Sequence, residues 1–376
     1  MNNPLAPAEL EAARALRIAR QNIRTQKLDL NNLTIYTEAA TGTYAYTACI
    51  AALAGARVYA LAGDNKWATA DQSCRAVEAL ARAWNVEKAI TLLTQKREAE
   101  LSRADIITNS GNVRPVDAPM IRCLKPGAVV CLMWETFEWR PEEVDLQACR
   151  ASDILVMGTD EAKLDFFPFA AESTIKMMHE CGLAVHHSVV LGLGSGPIMR
   201  ATLRGLKKNG AEVALCGHIP EEGDTWISPD STAALHDMIA RCDVILCDER
   251  ESRRPLIAEE GLVSAADITR LNPSCVIINR HGVVDTDGIT SCGLMCRPSA
   301  RTASWQTPHY TTAILGIRPV IELMTAGLRV GEVMARCRLR GMDVVSTAYH
   351  ALRHSAAQDF PPPFNLLSEN AQKQHA

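Results

Sequence analysis

The chain is notable first for what it lacks. It has no run of basic residues and carries a net charge of −4, which argues against nucleic acid as a partner. No apolar run approaches the ~20 residues needed to span a bilayer, so no membrane partner is expected. The opening stretch MNNPLAPAELEAAR lacks the basic-then-apolar order of a secretory leader, and the expectation is a cytoplasmic protein. Cysteine is plentiful at 13 residues, yet no Cys-x-x-Cys pair occurs. Cys292 and Cys296 stand four apart with His281 and His309 on either side, too loose a pattern to predict a metal. Cys131, Cys216, Cys247 and Cys275 lie in apolar stretches, which suits buried thiols rather than disulfides. Aromatic residues are sparse at 5%. Trp67, Trp134, Trp139 and Trp305 fall near expected loops, where they could wall a ligand or simply fill core and surface.

What is present is an apolar content of 47% in 376 residues, enough for two domains of roughly 100–200 residues each. Hydrophobic runs of strand length alternate with helical patterns. Strands are predicted over 33–37, 57–62, 89–93, 105–108, 128–133 and 154–157, with helices over 7–27, 44–54 and 68–83. A helix over 170–179 leads into a second half of the same kind. There strands are predicted at 189–191, 212–216, 243–247 and 275–279, and helices at 231–240 and 265–271. Late helices are predicted at 311–326 and 330–353, followed by a loop-like tail. Such alternation predicts an α/β protein with parallel sheets covered on both faces. The expected architecture is two Rossmann-like domains with an interdomain cleft, and late helices packing across them. The expected divisions are 1–180, 181–310 and 311–376.

The most informative stretch is VVLGLGSGPIMRATLRGLKKNGAEVALCG at 189–217. A strand runs into the turn Gly192, Leu193, Gly194, Ser195, Gly196. A helix opens at Pro197 and Ile198, since proline suits the first helical position, and stops at Gly210. A second strand follows. Strand, glycine turn, helix and strand in this order form a dinucleotide fingerprint. Glycines let the backbone approach a pyrophosphate, and the helix N-terminus offers free N–H groups. Two departures stand out. Pro197 replaces the third glycine. Gly217 and His218 stand where an acidic residue would bind the ribose of NAD, so NADP is expected to bind at least as well as NAD. Asp248, Asn279 and Arg280, at later strand ends, are expected to complete the nucleotide crevice. A small-molecule substrate is the expected partner.

Residues 243–309, with RPLIAEEGLVSAADITRLNPSCVIINRHGVVDTDGI and then Thr-Pro-His at 307–309, resemble the cofactor domain of the D-2-hydroxyacid dehydrogenases. These belong to the formate/glycerate dehydrogenase-like superfamily. The resemblance implies NAD(P)-dependent hydride transfer. It implies that Arg280 holds a substrate carboxylate and that His309 exchanges the proton. That family pairs its histidine with a glutamate. Here Asp285 and Asp287, but no glutamate, lie between Arg280 and His309. Glu38 and Glu135, at strand ends of the first half, are therefore candidates to supply the carboxylate across the cleft. His281 is an alternative proton carrier. The stretch Asn65-Lys66-Trp67-Ala68-Thr69-Ala70-Asp71 resembles S-adenosylhomocysteine hydrolases, which implies a similar architecture and, as an alternative, tightly held NAD. A non-catalytic nucleotide-binding protein and a methyltransferase-like use of the turn are further alternatives. A homodimer is expected, with the late helix TTAILGIRPVIELMTAGL either covering the interface or packing on its own core.

Overall fold

A computed structural model describes residues 7–217, 225–250, 254–298 and 311–367. The chain divides into two compact units, Met1–Leu164 with Gly316–Ala376, and Asp165–Leu315. The sequence-based boundaries fall at 180 and 310. The helix Pro168–Glu180 goes with the second unit because it packs along the helix Pro197–Lys208. The contact is close: a Cβ on Gly205 would lie 2.3 Å from the Ala171 Cβ.

Unit 1 holds seven strands among the described residues: β1 Thr34–Glu38, β2 Arg57–Leu61, β3 Ile90–Leu93, β4 Ile106–Thr108, β5 Val129–Cys131, β6 Leu155–Thr159 and, late in the chain, β13 Ala357–Gln358. Their order is β13-β6-β5-β4-β1-β2-β3. All pair in parallel except β13, which lies antiparallel on β6. β4, β5 and β6 are buried along their whole length, as expected for a parallel sheet covered on both faces. The chain reverses its winding between β1 and β4, since β2 and β3 lie to one side of β1 and β4, β5 and β6 to the other.

The late helix differs from its expected extent. The sequence suggests a break near 326–330, but one helix runs through Ile317–Leu339. Its interior glycines are not punctuation. A Cβ on Gly327 would lie 2.8 Å from Met133 Sδ, and one on Gly331 would lie 2.7 Å from Ile106 Cγ2. The helix therefore lies against the sheet at a distance only glycine allows. Ile321, Leu328 and Met334 are fully buried, each worth roughly 1.5–3 kcal/mol in hydrophobic burial. The helix packs on β4, β5, β6 and the helix Pro7–Thr25, so its apolar face serves the core of unit 1. The chain turns at Gly341, φ 81°, and Asp343 caps the next helix, Val344–His354.

Unit 2 holds six parallel strands among the described residues: β7 Val189–Gly194, β8 Glu212–Cys216, β9 Trp226–Ile227, β10 Val244–Asp248, β11 Val276–His281 and β12 Met295–Arg297. The order β12-β11-β10-β7-β8-β9 puts the reversal between β7 and β10. The two sheets thus share one plan, and both have Rossmann-like topology. All thirteen thiols are free, and Cys131, Cys216, Cys247 and Cys275 are buried. No helix among the described residues is long and apolar enough to cross a membrane.

Candidate functional site

In open parallel sheets ligands sit beyond the carboxyl ends of the strands, where the winding reverses. In unit 2 that place is the end of β7, beside Asp248 of β10. The glycines there have separate tasks. A Cβ on Gly192 would lie 2.9 Å from Met199 Sδ, so Gly192 seats the helix Pro197–Lys208 on the strand. Gly194 has φ 131°, and a Cβ there would lie 2.2 Å from the Asp248 carbonyl oxygen. Gly196, φ 93°, is the N-cap residue, with Pro197 at the start of the helix. Gly196 has no side chain to cap with, so the first-turn N–H groups receive no side-chain cap from it. Ile198 is buried and packs inward. Gly217 is buried too, and a Cβ there would lie 2.1 Å from the Gly194 carbonyl oxygen. The position where NAD-binding proteins place an acid therefore has no room for any side chain. His218 lies outside the described residues.

Ser195 does not cap the helix either. Its hydroxyl donates to the Glu249 carboxylate, 2.9 Å from each oxygen, and both residues are buried. Beneath the turn Asp248 is fully buried. Its Oδ1 accepts from Arg250 Nε at 3.1 Å, and its Oδ2 lies 3.3 Å from Arg280 Nε. Burial pushes the Asp248 carboxyl up, but Arg250, Arg280 and His281 together outweigh it and hold the carboxyl below its ordinary value. Arg280, expected to anchor substrate, is only 7% exposed. Its Nη1 donates to Thr202 Oγ1 at 3.3 Å, and that hydroxyl donates to the Ile198 carbonyl at 2.8 Å. His281 is buried with Nδ1 3.0 Å from the Glu249 carbonyl oxygen. Asn279 is 1% exposed, and its amide makes no hydrogen bond among the described residues. It is a buried donor and acceptor held at the end of β11.

The sequence pattern gives Thr202 no role; a threonine inside a helix carries no local signal of an arginine arriving from another strand. The Ser195–Glu249 bond has a partial signal, since both residues follow strand ends.

The other expected residues lie in unit 1 or beyond description. Glu38 ends β1 and Glu135 precedes the short turn Thr136–Glu138; both are buried. Burial lifts the Glu38 carboxyl to about 7, against the pull of the Asn112 backbone N–H and the Arg114 charge. Asp64, Asn65 and Asn109 do local work: Asp64 Oδ1 accepts from Ala70 N, Asn65 Oδ1 from Trp67 N, and Asn109 Oδ1 from Met133 N. His309 and Trp305 lie outside the described residues.

No family model matches the chain, and no curated protein does. Solved structures do resemble it. A dipicolinate synthase polypeptide from Bacillus halodurans superposes with TM-score 0.52 at 11% identity, covering 79% of this chain and 96% of that one. Its counterpart from Bacillus subtilis gives TM-score 0.55 at 11% identity, over 84% and 98%. D-lactate dehydrogenase from Lactobacillus jensenii, solved with NAD+, gives TM-score 0.47 at 10% identity, over 81% and 97%. At such identities the likeness is one of fold, and the chain has the two-domain Rossmann-like fold of these dipicolinate synthase polypeptides.

Proposed function

We propose that the chain is a nicotinamide-dependent oxidoreductase acting on a small polar, carboxylated substrate, with the dinucleotide on unit 2. The observation that carries this is the helix Pro197–Lys208, which opens behind a glycine turn at the winding reversal with no side chain on its N-cap. The fold supports it. So does the name of the similar proteins, since dipicolinate is a pyridine dicarboxylate.

On this reading the N–H groups of the helix's first turn take the pyrophosphate charge, and Gly194 and Gly196 let the backbone come close. Ser195 exchanges its bond to Glu249 for one to a phosphate oxygen. Arg250 and Arg280 together offset the Asp248 and Glu249 carboxylates, so the anion meets no net negative charge. Asn279 offers its amide to the nucleotide. When bound, the nicotinamide supplies or accepts the hydride. Arg280 stays held by Asp248 and Thr202 and places its positive charge beside the site of a substrate carboxylate. His309 exchanges the proton. With no acid at Gly217, NADP binds alongside NAD.

Calorimetric titration of NAD and NADP, oxidised and reduced, into the full chain tests this. Both dinucleotides should bind. His309→Gln should then lower kcat by ~10²–10⁴ once a substrate is in hand, the range for a lost general acid–base. A folded protein that binds no dinucleotide would overturn the reading.

A further inference from the structure

In unit 1 the place equivalent to the end of β7 is held by Glu38. It is the last residue of β1, beside the β1–β4 winding reversal, the place in such a sheet where a ligand is expected. Its carboxyl is buried, 6% exposed, and has no ion-pair partner among the described residues. The backbone N–H of Asn112 faces it, and Arg114 acts on it from a distance. Arg114 is committed elsewhere. Its guanidinium pairs with Glu143, which also holds Arg140 at 2.8 Å, and it lies 5.4 Å from the Trp134 ring centre. A buried carboxylate without an ion-pair partner is costly, and the Asn112 N–H and the distant Arg114 charge offset the burial only in part.

The wall over this carboxyl is built to leave it room. A Cβ on Gly111 would lie 2.5 Å from Glu38 Oε2, and Gly111 is itself exposed. The carboxyl therefore lies one residue beneath the surface. The loop is tied down around it: Asn112 Nδ2 donates to the Ala39 carbonyl at 3.0 Å, and Asn65 Nδ2 donates to Asn112 Oδ1 at 3.3 Å. Loops following β1, β2 and β4 are thus joined through one amide.

We propose that unit 1 has a binding site of its own at the end of β1, which takes a small ammonium compound through an ion pair with Glu38. An anion is disfavoured there because it would lie against the Glu38 carboxylate and be repelled as that group ionises. A hard divalent cation is disfavoured because it needs about six oxygen ligands, and no group of three or more metal-binding side chains occurs among the described residues. The ligand's ammonium group supplies the charge that the fold leaves out. Binding then releases the proton that Glu38 otherwise carries near neutrality. The charged groups that set this balance are Glu38 itself and Arg114 with its partner Glu143. No dinucleotide is required.

The test is saturation-transfer NMR on the full chain with a fixed panel: methylammonium, ethanolamine, putrescine and the common amino acids, with acetate as anionic control. At least one amine should bind, and acetate should not. Affinity should rise about tenfold between about pH 6 and about pH 8 as Glu38 ionises. It should fall at least about tenfold in Glu38→Gln, which keeps the shape but removes the charge. Gly111→Ala, which keeps the carboxyl but crowds it, should weaken binding as well. Gly196→Val should leave it intact, so loss of the dinucleotide reading would not touch this result. Three outcomes would overturn the proposal: no amine binds, Glu38→Gln and Gly111→Ala both bind as the wild type does, or affinity rises as pH falls.

Discussion

Asp248 and Glu38 flank matching winding reversals from opposite sides, Glu38 on β1, the counterpart of β7, and Asp248 on β10, the counterpart of β4. Each ends a strand beside the winding reversal of its own sheet, and each is buried. Yet their carboxyls go opposite ways. Asp248 meets Arg250 and Arg280 and stays below its ordinary value. Glu38 meets a peptide N–H and an arginine already held by Glu143, and rises to about 7. Burial is common to both, so burial does not decide the charge; the partners do. One plan of sheet thus carries two kinds of crevice. In unit 2 the acid is neutralised from within and the helix end is left for an anion. In unit 1 the acid is left without an ion-pair partner among the described residues.

The largest effect should come from breaking the neutralised side. Asp248→Ala removes the carboxylate between two arginines and should cost about 3–5 kcal/mol, the usual loss on removing one member of a buried pair. Urea denaturation followed by fluorescence measures it. Asp248 is held low in the folded state, so its contribution is complete above the unfolded value of about 3.9. It should fade as pH falls toward the lowered folded value.

Glu38 should show the reverse. Its folded value of about 7 lies above the unfolded value of about 4.3, so the folded state binds the extra proton between the two. Stability should therefore fall as pH rises through that window. Glu38→Gln should flatten the slope and stabilise the protein at about pH 8 by roughly 3 kcal/mol. A variant less stable than wild type at that pH would show that Glu38 has a partner after all.

Next is Gly196→Val. Its φ of 93° strains any side chain, and the added bulk blocks the approach to the helix end. Dinucleotide affinity should fall by ~100-fold, about 2.7 kcal/mol, with the circular dichroism unchanged. Gly217→Asp is not a clean way to change cofactor preference, because a Cβ there would meet the Gly194 carbonyl at 2.1 Å. It should lower affinity for NAD and NADP together.

The smallest effect is expected in unit 1. Gly331→Ala adds a Cβ 2.7 Å from Ile106 Cγ2 and 3.1 Å from Cys131 Sγ. Overpacking should cost about 1–3 kcal/mol, less the roughly 1 kcal/mol gained in helix propensity. Melting temperature should drop slightly, and dinucleotide affinity should not move.

The local chemistry of the chain was enough for most of its elements. Apolar runs of strand length between amphipathic segments place both sheets, because a doubly covered parallel strand must be apolar throughout. The turn at 192–196 with Pro197 behind it is equally plain, since positive φ and a first-turn proline are properties of single residues. The short edge strands β9, β12 and β13 escaped notice, as two or three residues carry no pattern. Other features depended on residues far apart in the chain. The stretch around Gly327 read as a break until the sheet beneath it was seen. Arg280 read as a free anchor until Asp248 and Thr202 were found against it. Gly217 read as an open site until the Gly194 carbonyl closed it. Glu38 read as one of several carboxylates, and only the loop folded over it, with Arg114 turned toward Glu143, sets its proton affinity. Space and charge at a point come from whatever the fold brings there, and no window of sequence contains that neighbourhood.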